Sequence, residues 1–378
     1  MRGVGYAGLL GTSVMLACGS EPAATDVERW TLSPGPMVAI GAVDGDAGYL
    51  FQRVVDADLL SDGRVVVADG GLSVLRFFDR DGRFLGESGG RGEGPGEFAS
   101  IQKIWVVAAD TIGVLDLATS RLSYFESDGS LVRTARLDLS VTTAGVGSLD
   151  FMAGVLTDGS VVIASLALGR EDGLGPDRIS VERFDTEGRH LGRIGESEGL
   201  VRARLGERMI GPLPFTPYPH FAAHGEAVYH VDGYRSAVSV WLRDSENEVA
   251  FPAASHDLTG AWAHLEAEVR RRGHAMYVSV LPTTPRPDSI PALAGLLVDD
   301  GGGIWVKQYV PQTDALWLTE SGRTAGGSWW VTDPIGRLIA EMEVPDGFTP
   351  LRAKRDRVVG IAVDALGVER VEVRLITR

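Results

Sequence analysis

The chain has 378 residues, 44% of them apolar, with 49 glycines and 18 prolines in no collagen-like period; that is enough to bury a sizeable core and to supply many tight turns. Thirty-six basic residues against 51 acidic ones leave a net charge of −15, which weighs against nucleic acid and anionic lipid as partners. A single cysteine, Cys18, excludes an intrachain disulfide.

The first stretch, Met1 to Cys18, reads MRGVGYAGLLGTSVMLAC. Arg2 supplies a minimal positive start, and Val4 to Leu16 is uncharged, mostly apolar and too short to span a bilayer, the pattern of a signal peptide. Val14-Met15-Leu16-Ala17-Cys18-Gly19 resembles a bacterial lipobox, with Met15 standing where leucine is usual. The resemblance implies cleavage before Cys18 and a diacylglyceryl group on its thiol. The expected organisation is therefore a signal peptide over 1–17, a lipidated cysteine and flexible tether over 18–29, and one folded domain over 30–378. Ser20 to Glu28 (SEPAATDVE) is small, polar and proline-bearing, as a tether should be. Such a protein is exported to the cell envelope and anchored by lipid alone. Gly19, in place of the aspartate that implies inner-membrane retention, points to the outer membrane.

Past the tether, one unit recurs: apolar run, turn, apolar run, aromatic-bearing run, Asp-Gly-type turn, closing run. Its clearest copy is Val54 to Leu85, where Asp62-Gly63 and Asp81-Gly82 supply turns whose positive φ glycine adopts freely. The second runs from Ile101 to Leu137, with turns at Ala109-Asp110 and Asp128-Gly129. A third begins near Leu149, turns at Asp158-Gly159 and Glu187-Gly188, and carries an insertion from Gly169 to Asp177. The fourth, Phe221 to Val249, turns at His224-Gly225 and at Ser245-Glu246-Asn247. The fifth spans Ala292 to Val344, with turns at Asp300-Gly301 and Ile335-Gly336. The sixth, Leu351 to Ile376, turns at Arg355-Asp356 and Leu366-Gly367 and supplies only three strands.

Trp30 to Ile40 is an orphan strand able to complete that last unit. Serial four-stranded meanders whose strands read as unbroken apolar runs, such as Val65-Val66-Val67, need neighbours on both faces, which favours a radial array over a sandwich. The expected fold is all-β: a six-bladed β-propeller of four-stranded antiparallel blades, closed by an N-terminal strand joining the C-terminal blade. One non-β segment interrupts it. Leu258, Trp262, Leu265 and Val269 recur at helical spacing between Asp257, a good N-cap, and Gly273, a good stop, so a helical insertion is expected over 257–273.

Gly89 to Phe98, GGRGEGPGEF, resembles the inter-blade linker of NHL-type propellers. The chain as a whole is similar to bacterial six-bladed propeller lipoproteins with NHL-like repeats, most sharply over Ala57 to Gly129. In that comparison Gly92, Gly94 and Gly96 permit an abrupt turn and Phe98 plugs the next blade's core. No lysine follows the glycines, as a phosphate cradle would need.

The candidate chemistry is sparse. His220, His224 and His230 are three neutral ligands with a hairpin between them and no nearby cysteine, so no metal or other cofactor is expected. Asp44, Asp46, Asp56, Asp58, Asp79 and Asp81 are read as hairpin-turn residues rather than a calcium loop. Residues near the start of innermost strands face a propeller's channel, which makes Arg53, Lys103, Asp150, Tyr218, His220 and Arg352 the candidate channel-mouth set. Mixed charge there suits a small polar or anionic ligand. The expected function is a binding or interaction module of the envelope, for a protein partner or a small polar ligand. The alternative is a metal-dependent lactonase or lyase, which Glu93-Gly94-Pro95 superficially resembles and Gly96-Glu97-Phe98 departs from.

Overall fold

Aspartate and glycine at fixed offsets fold the chain back on itself. At Asp79–Arg83 the Asp79 N–H donates to the Arg83 carbonyl and the Gly82 N–H to the Asp79 carbonyl. Asp79 Oδ1 then accepts from the N–H groups of Asp81 and Arg83, while Gly82 takes φ +82°. The same lock recurs at Asp185, Asp333 and Asp364. A short aspartate that satisfies two turn amides, followed by a residue free of Cβ, makes each reversal local.

The protein's structure, a computed structural model, describes residues 27–141, 149–167, 173–207, 209–243, 245–252, 256–318 and 326–378. Cys18 and the expected signal peptide lie outside them. Among the described residues the strands group in chain order into four-stranded antiparallel meanders. The first is Val54–Leu59, Val65–Asp69, Val74–Phe78 and Phe84–Gly89, and the second is Ile101–Val106, Ile112–Asp116, Arg121–Phe125 and Leu131–Arg136. The third is Leu149–Val155, Val161–Ala167, Gly175–Phe184 and His190–Leu205, extended by Met209–Pro212. The fourth is His220–His224, Ala227–Val231, Ala237–Leu242 and Ser245–Ala250; the fifth is Leu293–Val298, Ile304–Gln308, Gly327–Thr332 and Leu338–Val344. The sixth joins Phe348–Lys354, Arg357–Val363 and Glu369–Thr377 to Val38–Ile40, which pairs antiparallel with Glu369–Thr377.

Several expectations change in detail. The orphan strand is two strands, because Ser33-Pro34-Gly35-Pro36 breaks the run: Val38–Ile40 is one, and the other, Glu28–Leu32, begins inside the expected tether. Glu28–Leu32 pairs parallel with Leu338–Val344 and antiparallel with Glu369–Thr377. A single parallel bridge, Gly154 to Ala223, joins the third and fourth meanders. Two of the sheets are therefore nine-stranded and mixed rather than purely antiparallel. The small side chains make the second junction possible, since a Cβ on Gly154 would lie 2.7 Å from that of Ala223. Ser245-Glu246-Asn247 is not a turn but the start of an outermost strand. It is exposed on both faces and so carries no apolar pattern. The expected insertion up to Asp177 is shorter, because Gly175 to Asp177 already belong to a strand that pairs with His190–Leu205.

The apolar residues sit between meanders. Val65 and Val67 pack with Val359, Ile361 and Val371 of the sixth meander, whereas Val66 and Ala68 on the same strand pack with Ile104, Ile112 and Val114 of the second. Val161 and Ile163 face the second meander, and Val162 and Ala164 face the fourth. Further clusters lie between the fourth and fifth meanders and between the fifth and sixth. Alternate residues of one strand thus feed two cores, which explains the unbroken apolar runs. Phe98, fully buried, packs among Leu60, Phe77, Ile104 and Phe125 between the first two meanders.

Leu258–Arg272 is an α-helix. Asp257 accepts from the N–H groups of Thr259 and Gly260, and Gly273 ends the helix at φ +69°. Its buried stripe of Ala261, Trp262, Leu265 and Val269 packs against Leu213, Phe215, Tyr309 and Trp317. A second helix, Ala275–Val280, follows it.

Candidate functional site

The first strand of each meander lies against the first strand of the next, and Phe348–Lys354 lies against Val54–Leu59. At that last junction the strands carry charge at matching two-residue spacing, which puts the charged side chains on one face. Val54–Leu59 offers Asp56 and Asp58, which are 3% and 2% exposed. Phe348–Lys354 offers Arg352 and Lys354, and Ile101–Val106 offers the N–H groups of Ile104 and Val106.

Arg352 Nη2 donates to Asp56 Oδ2 at 2.8 Å and to the Ile104 carbonyl at 2.8 Å, and its Nε lies 3.5 Å from Asp58 Oδ2. Lys354 Nζ lies 2.5 Å from Asp58 Oδ1 and donates to the Leu59 carbonyl at 2.9 Å. Amides add to these contacts. Asp56 accepts from Ala57 at 3.0 Å and Ile104 at 3.1 Å, and Asp58 from Leu59 at 2.7 Å and Val106 at 3.2 Å. Two carboxylates thereby tie together strands from the first, second and sixth meanders. Burial draws the Arg352 pKa down, but Asp56 and Asp58 outweigh it and hold the guanidinium above its ordinary value.

Lys103 joins this group without a hydrogen bond or ion pair to any described residue. Burial pushes its pKa down, the Arg352 charge adds to that, and Asp56 and Asp58 oppose it. Lys103, Arg352, Lys354 and Asp58 line a cavity of about 420 Å³. Its rim is formed by the ends of the first strands and the turns that follow them, including Thr157, His224, Gly225, Asp299 and Asp300. The two rim aspartates are engaged: Asp299 accepts from Gly301, Gly303 and Trp305 Nε1, and Asp300 from the Arg355 N–H.

Of the channel-mouth set, this structure brings Lys103 and Arg352 together. Tyr218 and His220 are neighbours, their rings 5.9 Å apart, but they stand at the opposite, starting end of a first strand. Burial, then the charges of Lys307 and His230, lower the His220 pKa to about 4 against a weaker pull from the Ala294 backbone. Arg53 is exposed and reaches back over Gly70, while its N–H donates to Asp69 Oδ1. Asp150 lies in Leu149–Val155 opposite Ser165, and its side chain is outside the described residues, as is Cys18 altogether. Starting positions and ending positions of the first strands open at opposite ends of the axis, so one placement rule could not gather all six. Asp56 and Asp58, read as turn residues, are strand residues of the site, and Lys354 was missed. The spacings Asp56-x-Asp58 and Arg352-x-Lys354 were the available signal.

Among the described residues, no three His, Cys, Asp or Glu side chains gather as metal ligands would, and no helix is long and apolar enough to cross a membrane.

Residues 52–152 match a family model described as a 6-bladed beta-propeller. A solved member of the DUF4221 family from Bacteroides vulgatus superposes with a TM-score of 0.52 at 10% identity, over 92% of this chain and 99% of that one. The fold is a β-propeller. A candidate exported protein of Bacteroides fragilis covers 94% of this chain and 97% of its own at 13% identity, with a TM-score of 0.49. A virginiamycin B lyase from Staphylococcus aureus gives 92% and 99% at 11% identity, with a TM-score of 0.42. No curated protein matches the chain. At these identities the resemblance concerns the propeller fold and nothing beyond it.

Proposed function

We propose that this β-propeller has six blades, is held at the cell envelope by lipid on Cys18, and works by binding a small anionic ligand in the axial cavity beside Lys103. The observation that carries the binding reading is Lys103, a cation of the cavity lining that has no hydrogen bond or ion pair to any described residue. Arg352 and Lys354 are engaged by Asp56 and Asp58, while Asp299 and Asp300 at the rim accept from amides of the chain. Lys103 is half-buried and meets Asp56 and Asp58 only through their field, so an anion entering the cavity would give it a direct partner.

The six-blade count is supported by the succession of inter-meander cores, the last of which joins the sixth meander to the first. Closure by the N-terminal strands is supported by the pairing of Val38–Ile40 with Val371 and Val373. The NHL-like linker at Gly89 to Phe98 is consistent with both. The domain division that goes with this reading is a signal peptide over 1–17, a tether from 18, and the propeller to 378. Export and anchoring rest on the Met1 to Cys18 pattern, and the outer membrane on Gly19.

Calorimetric titration with butyrate tests the binding. The wild type binds, and Lys103→Met, which keeps the aliphatic stem and removes the charge, binds at least tenfold more weakly. Equal affinity in the two proteins would remove Lys103 from the site. Labelled palmitate incorporated by the wild type and absent from Cys18→Ala tests the anchor, and incorporation into both would refute it.

A further inference from the structure

Beside the axial cavity lies a second hollow, also of about 420 Å³. Trp105, Val107, Leu156 and Thr157 line both, so the two are neighbouring compartments sharing one wall. The second hollow sits between the second and third meanders, and Tyr124 and Val132 form much of its far side. Its charged residues are occupied with each other or with the chain. The Arg133 guanidinium lies 3.9 Å over the Tyr124 ring and donates to the Thr186 carbonyl at 2.7 Å. Asp158 is bound by Arg183 and by Ser160. The apolar part of its lining is Trp105, Val107, Tyr124, Val132 and Leu156, beside the threonines Thr111, Thr157 and Thr186. Val132 is 51% exposed, although it stands over this hollow beside buried Trp105 and Tyr124. The axial compartment has the more charged lining, with Lys103, Arg352, Lys354, Asp58, Asp299 and Asp300.

Resting on the axial reading above, we infer that the ligand is an amphiphilic anion, its charged head beside Lys103 and its apolar tail crossing the shared wall into the hollow of Trp105, Tyr124 and Val132. Each compartment falls within the volume range of small-molecule sites. A polar anion alone would leave the second one unused.

The test is calorimetric titration with straight-chain carboxylates from butyrate to decanoate. The tail should strengthen binding about fourfold per added methylene until the hollow is filled. Val132→Trp and, from the opposite wall, Thr186→Trp fill the hollow with an indole, and in both the chain-length dependence should flatten. Two variants guard against one of them failing to fold. Butyrate binding with no gain along the series overturns the tail compartment and leaves the axial reading standing. A gain that persists in both tryptophan variants places the tail elsewhere and also overturns it. Decanoate affinity equal in wild type and Lys103→Met breaks the link between head and tail. If no chain length binds at all, the axial reading fails and this one with it.

Discussion

Replacing Asp58 by alanine removes the carboxylate that ties the first meander to the second and the sixth. It is 2% exposed and has four partners: the N–H groups of Leu59 and Val106, Lys354 at 2.5 Å, and Arg352 at 3.5 Å. Deleting one side of a buried ion pair costs about 3–5 kcal/mol, because the other charge stays behind. Here the loss belongs near the lower end. Lys354 is 27% exposed and keeps the Leu59 carbonyl, and Arg352 keeps Asp56. We expect about 3 kcal/mol from urea unfolding, and a thermal midpoint lower by about 6 °C at roughly 2 °C per kcal/mol for a chain of this size. Asp58→Asn retains an acceptor but not the charge and should lose about 1.5–3 kcal/mol. The decisive measurement is a double-mutant cycle with Lys354→Met, where the coupling should reach at least about 1 kcal/mol. A loss below about 1 kcal/mol for Asp58→Ala, or strict additivity with Lys354→Met, would refute the tie.

Two further outcomes follow from buried groups elsewhere. His230 is 4% exposed, its ring stacked between Phe221 and Trp241 and its Nε2 2.7 Å from Ser197 Oγ. Burial lowers its pKa to about 4, with Arg235 adding to the shift and Asp232 and Glu246 opposing it. Below its ordinary value of 6.5 the unfolded chain takes a proton that the folded imidazole refuses until about pH 4. Stability is therefore lost as pH falls through that window, by about 3 kcal/mol. Urea unfolding at pH 7 and pH 4 should show His230→Gln losing about that much less than the wild type; parallel losses would dismiss the assignment. Gly113 lies under the Trp105 indole, and an added Cβ would stand 2.0 Å from a ring carbon. Gly113→Ala should cost about 1–3 kcal/mol by overpacking, and an unchanged urea midpoint would show that the indole moves freely.

Much of the fold was readable because its signals are local. An aspartate three residues before a glycine caps its own turn, and the stripe from Leu258 to Val269 with Asp257 and Gly273 at its ends needs no distant partner to form a helix. Valine runs such as Val65 to Val67 disclosed that both faces of a strand are covered, though not by what. Ser245–Ala250 was misread for the converse reason: its first four residues face solvent and only Val249 packs inward, so it displays no apolar alternation. The candidate site was far less legible. Lys103 and Arg352 were chosen by a rule about strand position, and the same rule also collected Arg53, Tyr218 and His220, which face other surroundings.

By itself the sequence determined the turns, the strand succession, the helix with its caps and the serial meander, since each is an agreement between neighbouring residues. The tertiary structure alone decided that Asp56 meets Arg352 across 296 positions, and that two hollows share Trp105 as a wall. The two-residue spacings of Asp56 with Asp58 and of Arg352 with Lys354 mark charged strand faces in the sequence, but not which face meets which. Such pairings arise when sheets packed side by side bring strand ends together around an axis, and the identity of a charged residue does not reveal which partner will satisfy it.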